Sequence, residues 1–228
     1  MKKSSAEVSR ILIVDDHPLF CEGLRRMIDR HPSLEVCGHV PDAAAAMKAV
    51  SELTPDLVLM DISLEGTNGI DVTKSIKAKY PDLPILVVSM HDEALYAERA
   101  LRAGAQGYIM KNQSIQIVRD AIFKVLAGDV FLSEKMSTSV LAKLLLGKKD
   151  ESRSPIELLS DRELEVFQML GEGKSSRQIA EALDLSIPTI HSFRNRIKEK
   201  LQFKNSTELV LHAMQWVSEH ATSPRPVG

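Results

Sequence analysis

Residues 56–63 read DLVLMDIS, and the first half of the chain is organised around them. The four apolar residues from Leu57 to Met60 follow Thr54-Pro55-Asp56, and such a short run predicts a strand buried on both faces of a parallel sheet. The run ends at a carboxylate, Asp61. Ligands of open α/β sheets bind at the carboxyl ends of the strands, so Asp61 is placed for chemistry. Taken alone, the same aspartate would also suit a cap for the next loop.

Length and composition limit the class of protein. The 228 residues exceed the roughly 100–200 typical of one domain, so we expect one large or two small domains. The hydrophobic content of 44% and the charged content of 26% are typical of soluble globular proteins. No run approaches the ~20 apolar residues of a membrane span, and residues 1–10 are too polar for a signal peptide. These features predict a cytoplasmic protein with no membrane partner, in which Cys21 and Cys37 are buried free thiols.

The pattern of a short apolar run followed by a helical stripe occurs five times in about 120 residues. Such alternation predicts a doubly wound, five-stranded parallel sheet of the α/β class. The predicted strands are 11–14, 34–39, 57–60, 85–89 and 107–110. The predicted helices are one from Pro18 up to His31-Pro32, followed by 42–53, 70–80, 93–103 and 114–126.

Polar residues collect at the ends of these strands, on one edge of the predicted sheet. They are Asp15, Asp16, Asp61, Ser89 and Lys111. Carboxylates brought this close repel one another, and Mg²⁺, which prefers carboxylate oxygens, would relieve the repulsion. The metal, the Lys111 ammonium and the Ser89 hydroxyl would hold three oxygens of a phosphoryl group while Asp61 attacks phosphorus. The predicted product is an acyl phosphate on Asp61.

This half resembles the receiver domain of response regulators, which has a flavodoxin-like fold. The resemblance implies a sensor histidine kinase as partner and Asp61 as the phosphoacceptor. It makes Asp16, Asp61 and the Ser63 carbonyl the metal ligands, with Asp15 as an outer ligand through water. Lys111 matches the lysine after the fifth strand, and Ser89 and Tyr108 match the switch pair. The chain departs from many receivers at Asn112, where a proline following a cis bond is common. For a non-proline residue a cis bond costs about 3 kcal/mol.

Two other classes share parts of this pattern. A haloacid-dehalogenase-like phosphatase would have a second aspartate two residues after the nucleophile, where this chain has Ser63. A structural pseudo-receiver would bind DNA independently of phosphorylation. Tyr108 also has a simpler interpretation, in which it packs at a strand end with its hydroxyl exposed.

The sequence of the middle of the chain predicts a linker. Residues 130–146 carry a helical apolar stripe, and the polar segment 147–155 has a glycine and a proline at its ends. We therefore predict a receiver domain over 8–129, a helical and flexible linker over 130–156, and a second domain over 157–220.

Four helix starts mark the second domain. Ser160, Ser175 and Asn205 each precede Glu or Gln by three residues, the spacing of a capping box, and Ser186 opens a fourth helix. Only Asp184-Leu185 separates the second helix from the third. This short turn predicts a small all-α domain containing a helix-turn-helix.

The third of these helices has the composition of a DNA-reading helix. Residues 186–204 carry five Lys and Arg against one acid, Glu199, although the whole chain has a net charge of −2. The apolar stripe turns His191, Ser192, Asn195, Arg196 and Glu199 outward, where they would reach base edges, while Thr189, Arg194, Lys198 and Lys200 flank them and would meet phosphates. An ordinary solvated helix face has similar charge.

This half resembles the LuxR-type helix-turn-helix of NarL/FixJ-type response regulators. The matching residues are 159–166 (LSDRELEV), Gly173-Lys174, 178–180 (QIA), 186–190 (SIPTI), Ile197 and Lys200-Leu201. The resemblance implies a non-enzymatic transcription regulator that binds promoter double-stranded DNA and forms homodimers through its last helix. The family commonly has lysine where His191 stands, so we expect the recognised sequence to differ from that of relatives.

Overall fold

The computed structural model describes residues 8–138 and 155–220. They form two compact units, one on each side of the intervening segment. Within these residues, no helix combines the length and apolarity needed to cross a membrane.

The first unit alternates strands and helices, as predicted. Its elements are β1 (Ser9–Val14), α1 (Pro18–Ile28), β2 (Leu34–Val40), α2 (Ala43–Leu53), β3 (Leu57–Met60), β4 (Ser63–Leu64), β5 (Thr67–Asn68), α3 (Gly69–Lys79), β6 (Ile85–Ser89), α4 (Glu93–Arg102), β7 (Gly107–Met110) and α5 (Ile115–Leu126). Five strands form one parallel sheet in the order β2-β1-β3-β6-β7. The predicted doubly wound, flavodoxin-like sheet is confirmed.

The central strands β1 and β3 are buried on both faces because helices cover both sides of the sheet. Every residue from Leu57 to Met60 is buried. On one face, Leu24 and Ile28 of α1 and Ile122 of α5 pack against Leu59 and its neighbours. The strand ends at Met60, and Asp61 begins the loop beyond it while still buried.

Side-chain caps set the starts of several helices. Asp42, Asn68, Asp92 and Ser114 each accept a hydrogen bond from a backbone N–H in the first turn of the following helix. Because Asn68 is the cap, α3 begins at Gly69, one residue before the predicted start. The short antiparallel ribbon of β4 and β5, between Asp61 and α3, was not predicted.

Residues 130–146, which are predicted to contain a helix, begin with a pairing to a strand edge. Phe131 lies beside β7 in a parallel bridge with Gly107, where its N–H donates to the Gln106 carbonyl and its carbonyl accepts from the Tyr108 N–H. A residue whose backbone is paired with a strand edge cannot also pair within a helix. Residues 134–138 are helical, and the remainder of the predicted helix lies outside the described residues.

The second unit is all-α. A 3₁₀ turn (Pro155–Leu158) precedes α6 (Asp161–Gly171), α7 (Ser176–Ala182), α8 (Ile187–Lys200) and α9 (Ser206–His220). Its core contains Leu164, Ile179, Ile190 and Leu209 among its buried residues. Trp216 packs edge-on against Phe167, with ring centroids 5.7 Å apart.

The capping boxes predicted at Ser160 and Ser175 are confirmed, with both reciprocal hydrogen bonds present. The third box forms only in part. Asn205 accepts a hydrogen bond from the Glu208 N–H, but the Glu208 carboxylate accepts from the Lys204 N–H instead of that of Asn205.

Candidate functional site

Asp61 is held at the end of β3 by backbone contacts. Its N–H donates to the Val14 carbonyl at 2.8 Å, and its side chain accepts from the Ile62 N–H at 2.7 Å. Gly69 crosses directly behind it, so close that an added Cβ would lie 1.8 Å from the Asp61 carbonyl oxygen. Only glycine permits this approach. The carboxylate is 2% exposed and faces the predicted cluster at the sheet edge.

Lys111 lies between two of the carboxylates. Its Nζ is 2.7 Å from Asp61 Oδ2 and 2.7 Å from Asp15 Oδ2, and it sits 4.7 Å from the centroid of the Phe20 ring. The Lys111 N–H also donates to the Ser89 carbonyl, which ties the lysine to the end of β6. Within the described part of the chain no peptide bond is cis, including the bond to Asn112.

Burial controls the charge of the two central groups. Burial raises the pKa of Asp61 to about 6, against the opposing effect of the Lys111 ammonium. Burial alone would lower the pKa of Lys111, but the carboxylates of Asp61 and Asp15 outweigh it and raise the pKa. The pocket therefore holds a charged lysine and an excess of carboxylates.

The donor atoms fit a divalent cation. One ligand atom from each of Asp15, Asp16, His17 and Asp61 lies within 4.8 Å of all the others. Asp16 Oδ1 is buried and has no hydrogen-bond donor among the described residues. His17 Nδ1 is only 2.7 Å from it, but not in the alignment of a hydrogen bond. A buried, unsatisfied carboxylate oxygen is costly, and a cation would satisfy it.

Ser89 and Tyr108, the predicted switch pair, are joined through His91. The Tyr108 hydroxyl donates to the His91 carbonyl at 2.8 Å, and the His91 N–H donates to Ser89 Oγ at 3.2 Å. The His91 ring lies 2.9 Å from Ser63 Oγ and stacks on Tyr96 at 4.5 Å. Tyr108 is only 1% exposed, so the simpler interpretation, in which its hydroxyl is exposed to solvent, does not hold. Burial raises the pKa of this hydroxyl well above its usual value.

Sequence reasoning missed two residues of this site, His17 and His91. His17 follows Asp15-Asp16 directly, and that adjacency was an available signal. His91 lies two residues beyond Ser89, but nothing in its neighbours indicates that its backbone links Ser89 to Tyr108.

A second candidate site lies on α8. A left-handed residue, Asp184, makes the tight turn between α7 and α8. The predicted base-reading residues His191, Ser192, Asn195, Arg196 and Glu199 are all exposed. They form a continuous polar face, opposite the buried residues of the same helix.

The positively charged side chains of α8 differ in the partners that they contact within the unit. Arg194 donates to Ser176 Oγ at 2.7 Å, and Lys200 pairs with Glu163 at 2.6 Å, so both already bind within the unit. Lys198 Nζ makes a long contact of 3.4 Å with Asn195 Oδ1. Arg196 stacks over Phe193. The Thr189 hydroxyl lies 2.8 Å from Ser186 Oγ at the start of the helix. Of the four predicted phosphate contacts, Lys198 is therefore the one with the weakest partner within the described part of the unit.

Comparisons with known proteins match each of the two units to a family. Residues 11–123 match the family described as "Response regulator receiver domain", and residues 157–213 match "Bacterial regulatory proteins, luxR family". The transcriptional regulatory protein DegU of Brevibacillus brevis is 31% identical over 223 residues, which cover 91% of this chain and 94% of DegU. The oxygen regulatory protein NreC of Staphylococcus carnosus is 32% identical over 210 residues, 90% of this chain and 97% of NreC.

Among solved structures, the chain is similar to RcsB from Salmonella enterica serovar Typhimurium bound to promoter rprA in the presence of phosphomimetic BeF3-. The TM-score is 0.60 and the identity 25%, covering 91% of this chain and 99% of that one. A receiver joined to a luxR-type DNA-binding domain defines a two-component signalling protein that regulates transcription. The chain belongs to the response regulators of the NarL/FixJ type. This is a family of DNA-binding regulators and not a catalytic family, although a receiver has phosphoryl-transfer ability.

Proposed function

We propose that this protein accepts a phosphoryl group on Asp61 from a sensor histidine kinase and that phosphorylation controls promoter binding by the second unit. The proposal rests on one observation above all: Lys111 bridges Asp61 and Asp15 beside the unsatisfied oxygen of Asp16. That arrangement provides a nucleophile, a fixed ammonium and a cation site around one small volume.

The chemical step follows from these side chains. An Asp61 carboxylate oxygen attacks phosphorus, the bond from phosphorus to the donor breaks, and the donor leaves with that bonding pair. Lys111 and the Ser89 hydroxyl hold two of the phosphoryl oxygens. Receivers typically bind Mg²⁺, and here Asp16, Asp61 and the Ser63 carbonyl would hold it, with Asp15 reaching it through water. When bound, the cation would neutralise developing charge on the phosphoryl oxygens.

The response to phosphorylation would pass through the Ser89, His91 and Tyr108 contacts. A phosphoryl group on Asp61 competes for the Ser89 hydroxyl, which now accepts from the His91 N–H. Moving Ser89 therefore changes the loop whose carbonyl holds Tyr108. We propose that this shift alters the α4 face and changes the availability of the DNA-binding unit.

On DNA, we propose that the exposed polar face of α8 reads bases and that the flanking residues contact phosphates. The receiver is proposed to span 8–129, the linker 130–156 and the DNA-binding domain 157–220. We propose that the protein acts in the cytoplasm, where its promoter DNA would lie. We further propose homodimers on DNA through α9, where Leu211 and Met214 are 61% and 48% exposed. The similarity to RcsB, solved bound to promoter DNA, supports the proposed DNA binding. A second RcsB structure, with two dimers bound to two parallel DNAs, supports the proposed dimer.

The experiment is incubation with Mg²⁺ and acetyl phosphate, followed by intact mass measurement beside Asp61→Asn. We expect a single hydroxylamine-labile phosphoryl adduct on the parent and none on the variant. A folded parent that forms no adduct would contradict the proposal. In that case the DNA-binding half would stand, and the receiver would be a structural pseudo-receiver.

A further inference from the structure

His17 lies among the acidic side chains of the receiver pocket. Its Nδ1 atom is 2.7 Å from Asp16 Oδ1, 3.1 Å from Asp15 Oδ1 and 3.8 Å from Asp61 Oδ2. Three carboxylates thus surround one imidazole nitrogen, which shares a hydrogen bond with Asp15 Oδ1. A cation bound to this nitrogen would take the place of the shared proton. We propose that His17 is a ligand of the divalent cation at this site and gives it a preference for Mn²⁺ and later first-row metals over Mg²⁺. This inference rests on the cation site of the proposed function.

The distances match those between ligands of one metal ion. Ligand atoms bound at about 2.1 Å in an octahedral site lie about 3.0 Å apart when adjacent and about 4.2 Å apart when opposite. The separation of His17 Nδ1 from Asp16 Oδ1, 2.7 Å, is near the adjacent spacing, and its separation from Asp61 Oδ2, 3.8 Å, is near the opposite spacing. A cation bound to Asp16 and Asp61 would therefore also reach the nitrogen after small side-chain movements, with Asp15 meeting it through water.

The local backbone directs the imidazole towards the carboxylates. His17 is the N-cap of α1, but its side chain makes no capping hydrogen bond. Its N–H donates instead to Asp15 Oδ1 at 2.9 Å, and Pro18 follows at the first helical position. The conformation of the cap is thus set by Asp15 and Pro18, so the ring is not needed to start the helix.

A nitrogen donor changes which cations the site favours. Mg²⁺ prefers oxygen ligands, whereas imidazole binds well to divalent transition metals, whose affinities rise from Mn²⁺ to Co²⁺ and Ni²⁺. A pocket of carboxylates alone would discriminate less strongly between Mg²⁺ and the divalent transition metals. The identity of residue 17 therefore becomes a specificity determinant of the cation site.

The test is Mn²⁺ binding followed by electron paramagnetic resonance, with pulsed measurement of ¹⁴N coupling to the bound ion. The parent, His17→Gln and a control, His31→Gln, would be compared at one fixed pH, and Mg²⁺ affinity would be obtained by competition. His31 contacts Ser33 and Phe123, away from the carboxylates. Circular dichroism would verify that each variant is folded, and Asp16→Asn would locate the bound ion in this pocket.

We expect ¹⁴N coupling in the parent and in His31→Gln but not in His17→Gln. We also expect His17→Gln to weaken Mn²⁺ binding about tenfold or more while Mg²⁺ binding changes much less. Mn²⁺ that binds the parent without ¹⁴N coupling, or with the affinity of His17→Gln, would overturn the role of His17 and leave the carboxylate site standing. A parent that binds neither cation would overturn the cation site itself.

Discussion

Gly69 is a residue whose missing side chain determines where Asp61 lies. An added Cβ would meet the Asp61 carbonyl oxygen at 1.8 Å, and a backbone atom cannot move aside as a flexible side chain can. We expect Gly69→Ala to destabilise the receiver by about 1–3 kcal/mol and to reduce phosphoryl-adduct formation. Urea unfolding and intact mass after acetyl phosphate treatment measure the two effects.

Gly23 provides the matched control for this substitution. It lies within α1, and an added Cβ would meet nothing within 4 Å. Gly23→Ala should therefore raise stability by about 0.5–1 kcal/mol, because alanine loses less entropy in a helix. Equal stability and equal adduct yield in the two variants would contradict the role given to Gly69.

Tyr108 separates the phosphorylation step from the response to it. Tyr108→Phe removes only the hydroxyl that donates to the His91 carbonyl, and the lost hydrogen bond should cost about 0.5–1.5 kcal/mol. We expect the Asp61 adduct to form as in the parent, while the effect of acetyl phosphate on DNA affinity is reduced. Tyr80→Phe is the control, and a full response in Tyr108→Phe would argue against the switch role.

Single residues differ in how well the sequence predicts them. Asp61 and Lys111 each follow a recognisable buried strand, so strand pairing alone brings them to one edge. His17 and His91 depend instead on where a ring points after folding. Lys200 shows the same limit, since its charge predicts a phosphate contact, which stays a prediction, but does not indicate that its ammonium pairs with Glu163.

The pair of Glu163 and Lys200 connects the start of α6 to the end of α8. Burial would raise the pKa of Glu163, but hydrogen bonds from Lys200 and from the Ser160 N–H outweigh it and hold the pKa below its ordinary value of 4.5. Because the folded-state pKa is the lower one, the contribution to stability is present above pH 4.5 and is lost as the pH falls through the folded-state pKa.

We therefore expect Glu163→Gln to destabilise the second unit near neutral pH by about 1–3 kcal/mol, since it removes a charged hydrogen bond. The difference from the parent should shrink as the pH falls below about 4.5. Chemical unfolding at several pH values measures it. Glu181→Gln breaks an exposed pair with Arg177 and should have almost no effect at any pH. A constant difference for Glu163→Gln across this range would refute the assignment.

At the scale of elements, strands that consist of one continuous apolar run were predictable from the sequence. The two-residue strands and the single β-bridge were not. The bounds of β3, β6 and β7 agree with prediction because each is a continuous buried run between turn residues. The two-residue strands β4 and β5 are too short to have a periodicity. The bridge of Phe131 to Gly107 depends on a strand edge made elsewhere in the chain, so local sequence pointed to a helix instead.

The whole molecule joins a receiver to a DNA-binding unit, and substitutions in the two units should affect different measurable properties. Lys198→Ala removes one proposed phosphate contact, so the dependence of the logarithm of affinity on the logarithm of salt should become shallower by about 1. Asp61→Asn should leave that salt dependence unchanged but abolish the effect of acetyl phosphate. Fluorescence anisotropy with a labelled duplex over a range of salt concentrations measures both.

This comparison also tests the division of labour in the chain. If Lys198→Ala abolished the effect of acetyl phosphate on DNA affinity while keeping the parental salt dependence of that affinity, the roles assigned to the two units would be wrong. The sequence predicted two domains because a polar segment interrupts two distinct patterns of apolar residues. It could not predict their arrangement, which depends on surface complementarity rather than on periodicity.

The packing of Trp216 against Phe167 has a practical consequence. Trp216 is the single tryptophan of the chain, and its three tyrosines, Tyr80, Tyr96 and Tyr108, all belong to the first unit. The protein therefore carries natural energy donors in one unit and a natural acceptor in the other. Resonance energy transfer from tyrosine to tryptophan would follow the separation of the units in unlabelled protein, before and after a phosphodonor is added.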